Sequence, residues 1–308
     1  MWSIESIEWI DIELTSFCNI DCPGCFRQIK RDKVDDILDK EFITLDKIKK
    51  WITKKNFPNC KLINFCGSID EPTLHPNLIE ILDWFSVIDI NISSNGSTKT
   101  TKFWSELGER KISVFFGLDG IDQESLEKYR IGSNFKKIIQ NSRAFIQSGG
   151  KATWQFIAFE HNEHLIEDAK KMAKEEGFEN FRLIYSHRDQ NKESKKIKRD
   201  EEQKIVCKYG EQNRIFISHT GVVLPCCFFN SEFLQSFATN QYYTDFQKLY
   251  RDTGELLSSS LKYNTPDEII DGELFEGVIN SWHSKPLSRC WSTCKQARQD
   301  VFLGETLK

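Results

Sequence analysis

The sequence predicts an α/β fold: a parallel sheet of six strands with helices between them, curled into a barrel or partial barrel. Two observations point there. Through the first 187 of 308 residues, short runs rich in Ile, Val, Phe and Leu alternate with helix-like runs, which reads as parallel strands linked by crossover helices. Three cysteines follow directly on the first of these strands, at the strand end where such folds carry their chemistry.

Taken in order, the predicted strands are 8–15, 61–66, 88–93, 112–118, 153–159 and 181–186. The first contains Ile10-Asp-Ile-Glu-Leu-Thr15, which alternates apolar and polar like a half-buried strand. Helices are expected at 44–54 (opened by Thr44 and Asp46), 77–86, 99–107, 122–128 with 135–148, and 163–176. Gly149-Gly150 and Gly177 fall where helices stop. Residues 188–206 are almost wholly polar with charges of both signs, and read as a solvated linker rather than a binding arm. Beyond them the texture changes to aromatics and five further cysteines between 207 and 294. The division expected is a barrel over 1–187, the linker 188–206, and a small domain over 207–308.

Composition sets outer bounds. With 39% hydrophobic residues, 23 Phe and 8 Trp, the chain has ample material for a core, and its net charge of −4 leaves no basic footprint for nucleic acid. No apolar stretch reaches the roughly 20 residues of a membrane span, and the N-terminus carries no secretion signal. Ten cysteines in such a chain argue for a reducing, cytoplasmic setting and for metal ligation rather than disulfides.

The cysteine run is Cys18-Asn-Ile-Asp-Cys22-Pro-Gly-Cys25. Three thiolates on one loop can grip an iron–sulfur cube and leave its fourth iron open, which makes a reaction centre. The bland alternative is a structural zinc with a fourth ligand such as His75. Cys-x3-Cys-x2-Cys after a first strand resembles the radical S-adenosylmethionine (SAM) superfamily. In that family the open iron of a [4Fe–4S] cluster chelates SAM, and one electron cleaves it to a 5′-deoxyadenosyl radical that abstracts a substrate hydrogen. The resemblance implies a partial (β/α)6 TIM-like barrel, an enzyme, and a reductase or flavodoxin-type electron donor.

Later strand ends extend the resemblance. Asn64-Phe-Cys-Gly-Ser-Ile-Asp-Glu71-Pro72 resembles the family's Gly-Gly-Glu-Pro segment, with Asp70 where glycine is usual. It implies that Glu71 receives the SAM ammonium group. Ser94 and Asn95 follow the third strand, where the family places polar groups against SAM. Gly117-Leu-Asp119-Gly120 and Tyr129-Arg130-Ile-Gly132 resemble the D-G…R-x-G pattern. They imply that Arg130 pairs with the SAM carboxylate and that Asp119 faces the substrate as a proton acceptor. A surface arginine and a turn aspartate are the alternatives. Gln155 points either into the barrel mouth or outward. Gly24 replaces the aromatic usual before the third cysteine, a place Phe17 or Phe26 would fill. His161 and His164 read as a surface cluster, and Cys60 and Cys66 as small buried hydrophobes.

Cys207-x13-Gly221-x4-Cys226 resembles the opening of the SPASM and twitch auxiliary domains, with hairpin strands at 215–218 and 222–224. With Cys290 and Cys294 it implies one auxiliary [4Fe–4S] cluster, Cys227 being a spare that could swap with Cys226 or be a buried thiol, in a small domain of a β-hairpin plus a helix. A zinc site on the same four thiols is the alternative. The function expected is hydrogen abstraction followed by one-electron oxidation of a small-molecule or peptide substrate. Rivals are redox-neutral epimerisation, with Cys66 or Cys227 as hydrogen donor, and a non-catalytic zinc or iron–sulfur scaffold or electron carrier. The first strand lies close to Met1, so a fused N-terminal leader-peptide recognition domain is not expected.

Overall fold

A computed structural model describes residues 2–25, 27, 41–185, 204–238, 244–294 and 302–307. The strands are β1 (Trp9–Ile12), β2 (Leu62–Phe65), β3 (Asp89–Ser94), β4 (Ser113–Gly117), β5 (Lys151–Ala158), β6 (Asn180–Tyr185), β7 (Arg214–Ile217), β8 (Val223–Leu224) and β9 (Phe302–Thr306). They form one open sheet ordered β8-β7-β1-β2-β3-β4-β5-β6-β9. Pairing is parallel from β7 through β6 and antiparallel at the two outer pairs.

The six predicted strands are all present, and the crossovers carry the expected helices. These are α1 (Leu45–Trp51), α2 (Leu78–Trp84), α3 (Thr101–Glu109), α4 (Gln123–Glu127), α5 (Phe135–Gln147) and α6 (Ile166–Glu175). Thr44, Thr100, Asp122 and Asn134 each accept a first-turn amide of the helix that follows, which sets its start. Gly149 and Gly177 sit at φ +96° and +83°, the left-handed stop for which the glycines were expected.

Strand parity divides the sheet into two faces. Ile10, Ile12, Ile63, Phe65, Ile90, Ile92, Val114, Phe116, Trp154 and Phe156 are buried toward the helices. There Phe116 packs against Trp104 and Phe145, with ring centroids 5.0 and 5.9 Å apart, and Trp154 packs on Phe178. The intervening residues, Asp11, Asn64, Asn91, Ser93, Phe115, Gln155 and Arg182, line the inside of the curl.

One expectation is corrected. β1 stops at Ile12 rather than residue 15, because the Leu14 and Thr15 amides donate to Asp70 Oδ2 at 3.0 and 3.2 Å instead of continuing the ladder. The hairpin of the C-terminal segment forms at the expected residues, and β7 pairs in register with β1, Trp9 opposite Arg214 and Ile12 opposite Ile217. Ile215, Phe216 and Ile217 are fully buried there, so the segment covers what would be a bare sheet edge. Most of the linker 188–206 lies outside the described residues. The remaining C-terminal helices are α7 (Lys208–Glu211), α8 (Asn230–Ala238), α9 (Asp245–Asp252), α10 (Leu256–Ser259), α11 (Pro266–Ile270), α12 (Glu273–Ser281) and α13 (Ser288–Cys294).

Candidate functional site

Both cysteine sets open onto one cavity of about 990 Å³ inside the curl. The first set rides on a loop held by one internal turn and three ties to its neighbours. The Asp21 amide donates to Ile131 O at 2.8 Å, the Cys25 amide to Cys22 O at 2.9 Å, and the Glu71 amide to Phe17 O at 2.8 Å. Asn95 Nδ2 donates to Asn19 Oδ1 at 2.9 Å. Cys18, Cys22 and Cys25 are half-buried and line the cavity. Burial pushes the Cys18 thiol up to about 12, and the Glu71 carboxylate and the other two thiols add to this. Three sulfurs so placed become thiolates together only on a cationic centre.

The donor set fits an iron–sulfur cube with three protein ligands. Soft thiolates select iron–sulfur clusters or zinc, but the fourth ligand suggested for zinc is already engaged. His75 Nε2 donates to Ile43 O at 2.8 Å, while Nδ1 accepts the Asn77 amide at 3.1 Å. Among the described residues no three His, Cys, Asp or Glu side chains converge on a single metal ion. A cube instead asks each thiolate for a different iron. Phe17 does not take the aromatic place beside the third cysteine: it packs on Phe42 with centroids 4.8 Å apart. Phe26 lies outside the described residues.

Glu71 is the junction between the ends of β2 and β3. Its Oε1 accepts the Thr73 amide (3.1 Å), the Thr73 hydroxyl (2.6 Å) and Ser94 Oγ (2.8 Å), and its Oε2 accepts the Asn95 amide (2.7 Å). Burial raises the acid's pKa while these donors oppose the shift. A carboxylate offers about four acceptor sites, so Oε2 retains room for one further donor on its cavity side. Asp70 has Oδ2 engaged at the end of β1, whereas its buried Oδ1 has no hydrogen-bond partner among the described residues.

Asp119 is not where the sequence placed it. It is fully buried, does not line the cavity, and its oxygens are engaged by Arg130 Nε (2.7 Å) and the Ile157 amide (2.7 Å). A carboxylate tied on both oxygens holds Arg130 in position rather than facing a substrate. Arg130 does line the cavity, its guanidinium lying across Gly117, where a Cβ would come within 2.5 Å of Cζ. Gln155, left open by the sequence, faces inward.

The second set comes from three places. Cys207 caps α7, accepting the Gly210 amide at 3.4 Å, and Cys226 follows the hairpin. Cys290 and Cys294 stand one turn apart on one face of α13. All four line the cavity. Cys207 and Cys294 lie close enough to share a proton, which holds Cys294 down and pushes Cys207 up. Burial raises both neighbouring thiols; Cys226 also feels Cys227, Cys290 and Cys294, whereas Cys227 feels Asp11, Tyr209 and Arg214.

Asp11, inward on β1, was missed by motif reasoning and anchors the C-terminal segment. It accepts Asn64 Nδ2 (2.7 Å), Trp9 Nε1 (3.1 Å), Arg214 Nε (2.9 Å) and the Tyr209 hydroxyl. The Arg214 guanidinium is layered between Trp9 and Tyr209, 3.9 and 4.3 Å from their rings. The signal available was the polar half of the β1 alternation. Glu13, two residues on, is fully buried among Ser68, Ile69 and Asn230, and desolvation pushes it up to about 7. A buried acid raised this way costs stability as pH rises from its ordinary 4.5 to about 7, since the unfolded chain ionises first. Urea unfolding midpoints should therefore fall across that window, and Glu13→Gln should flatten the fall; an unchanged slope would contradict the assignment.

The family model of the radical SAM superfamily matches residues 12–174, more than half of the chain. The chain belongs to the radical SAM superfamily, whose members are enzymes using a [4Fe–4S] cluster and SAM. It is 32% identical over 117 residues to the tungsten-containing aldehyde ferredoxin oxidoreductase cofactor-modifying protein of Pyrococcus furiosus, a match spanning 37% of this chain and 31% of that protein. The chain thus covers under a third of that curated relative. Among solved structures, SuiB of Streptococcus suis bound to SAM superposes with a TM-score of 0.64 at 16% identity, over 94% of this chain and 69% of that one. The protein anSMEcpe with bound SAM gives 0.58 at 15% identity, over 88% and 79%. These likenesses support the partial TIM-like barrel. No described helix is long and apolar enough to cross a membrane.

Proposed function

We propose that the chain oxidises a peptide or small-molecule substrate, with a SAM-binding [4Fe–4S] cluster on Cys18, Cys22 and Cys25 and an auxiliary [4Fe–4S] cluster on Cys207, Cys226, Cys290 and Cys294. The observation that carries this reading is the single cavity lined by both cysteine sets. The first cluster supplies one-electron cleavage of bound SAM and hydrogen abstraction, and the second supplies an electron outlet.

The chain's own residues hold the ligand. Glu71 Oε2 has an acceptor site for the SAM ammonium, and Ser94 and Asn95 fix that carboxylate. Arg130 presents its outer nitrogens to the SAM carboxylate, and Asp119 keeps the guanidinium aimed. A methyl at Gly117 would meet that guanidinium first, within 2.5 Å, and displace it. Gly117→Ala should accordingly weaken SAM binding roughly tenfold, the worth of one charge-assisted pair, and lower the thermal midpoint, because it strains the buried Arg130–Asp119 pair. Unaltered affinity by equilibrium dialysis would remove Arg130 from the SAM site.

SuiB has been solved bound to its precursor peptide SuiA, and the Pyrococcus furiosus relative is named for modifying a cofactor, so both substrate classes are represented. Anaerobic reconstitution tests the reading: about eight irons per chain, as two cubes require, with dithionite-dependent SAM cleavage and a product two electrons more oxidised. Zinc in place of iron, or no SAM cleavage, would overturn it. Redox-neutral epimerisation remains a second reading because Cys66 and Cys227 both reach the cavity. Solvent deuterium incorporated into an unoxidised product, and lost in Cys227→Ala or Cys66→Ala, would favour it.

A further inference from the structure

We propose that the indole N–H of Trp282 donates to the sulfur of Cys290 and so raises the reduction potential of the auxiliary cluster. This rests on the reading of Cys207, Cys226, Cys290 and Cys294 as a [4Fe–4S] site.

The second cysteine set is furnished to hold negative charge on sulfur. Cys207 Sγ accepts the Gly210 amide at 3.4 Å. Burial raises the Cys226 and Cys290 thiols, while the Phe228 amide at the first and the Trp282 N–H at the second favour the thiolate. At Cys294 the proton shared with Cys207 leads, and the Lys208 amide works in the same direction. Three of these four donors are backbone amides. Trp282 is the side chain among them, and so the one that a substitution can remove.

Trp282 directly follows α12, and Cys290 stands on α13. Both residues line the cavity. The Trp282 Nε1 is buried and meets no oxygen or nitrogen acceptor among the described residues; the group beside it is the Cys290 sulfur. A buried N–H costs stability unless something accepts it, and a thiolate accepts better than a thiol. The ring is backed by Trp2, with centroids 5.9 Å apart. Trp2 does not compete for the sulfur, since its own N–H donates to Arg214 O at 2.7 Å.

Reduction adds negative charge to the sulfurs, so a donor there stabilises the reduced cluster more than the oxidised one and the potential rises. A raised potential suits an electron outlet. One electron leaves the substrate radical for the cluster, the substrate releases one proton to water, and a flavodoxin-type carrier takes the electron onward.

The test is a potentiometric titration of the anaerobically reconstituted holoenzyme. It follows the electron paramagnetic resonance of the reduced auxiliary cluster, a signal that Cys290→Ala should lack. Trp282→Phe keeps a ring and removes the N–H. At a fixed potential it should shift the cluster roughly fivefold to tenfold toward the oxidised form, tenfold being about 59 mV for one electron. Water admitted beside the smaller ring would move the potential the other way, so the sign separates a bond to sulfur from loosened packing. Where Trp282→Phe does not fold, wild-type protein with isotope-labelled indole nitrogen serves: the reduced cluster should show hyperfine coupling to an indole nitrogen and its exchangeable proton. An unchanged or raised potential in Trp282→Phe, or no such coupling in the wild type, would overturn the proposal. Zinc in place of iron at these cysteines would instead strike the cluster reading. Cobalt(II) on the same thiolates would still report on Trp282, whose replacement should move the sulfur-to-cobalt charge-transfer band to lower energy; an unmoved band would count against the bond.

Discussion

Replacing Cys18, Cys22 or Cys25 with alanine is expected to lower bound iron from about eight to about four per chain and to abolish SAM cleavage, a loss of at least about a thousandfold. Two thiolates on a half-buried loop cannot replace the missing bond, and cluster binding is linked to ligand deprotonation and to ordering of the loop. The complementary variants sharpen the result. Alanine at Cys207, Cys226, Cys290 or Cys294 should also remove about four irons, yet leave SAM cleavage in place and stop the net oxidation. Cys227→Ala should keep all the iron, because its thiol faces Asp11 and Tyr209 rather than Cys290 and Cys294. Full iron retention in Cys226→Ala, with loss in Cys227→Ala, would reverse that ligand assignment.

Asp11→Ala is expected to destabilise the folded protein by about 3–5 kcal/mol, because it leaves the Arg214 charge buried without its carboxylate. Asn64, Trp9 and Tyr209 lose an acceptor in the same step. The loss should concentrate where β7 joins β1, so limited proteolysis should cut near 204–214 before the barrel unfolds. Arg214→Met on the Asp11→Ala background should recover part of the stability, since it removes the stranded charge. If Asp11→Ala shifts the urea midpoint by no more than an exposed aspartate substitution does, the hub does not tie the segment to the sheet.

Much of the fold was legible because local physics wrote it. The six strands and their helices appeared within a few residues of expectation, since period-two and period-3.6 patterns reflect burial on one face. The glycine stops held because few other residues take a positive φ at low cost. The cysteine triad was legible for a related reason: three ligands on one loop need no tertiary structure to be neighbours.

What escaped the sequence depended on partners far along the chain. Asp119 read as a cavity-facing acid until Arg130 and the Ile157 amide took its oxygens. Asp70 looked like a departure in a glycine-rich segment, yet its carboxylate ends β1 by capturing the Leu14 and Thr15 amides. The C-terminal hairpin was expected but its neighbour was not, and only the register of Trp9 with Arg214 put it beside β1 in the sheet. Trp282 carried no motif at all, because its meaning lies in the sulfur that the fold sets beside its N–H.

By itself, then, the sequence determined the strand and helix pattern, the barrel class and the cysteine triad, all set by contacts between near neighbours. The tertiary structure alone decided which polar side chains share one interior, with Asp11 tied to Arg214, Asp119 to Arg130, and Gln155 beside Arg182. Those pairings span 11 to 203 residues for the two ion pairs. Strand order and register choose them, and no local pattern encodes a neighbour that the fold supplies from elsewhere in the chain.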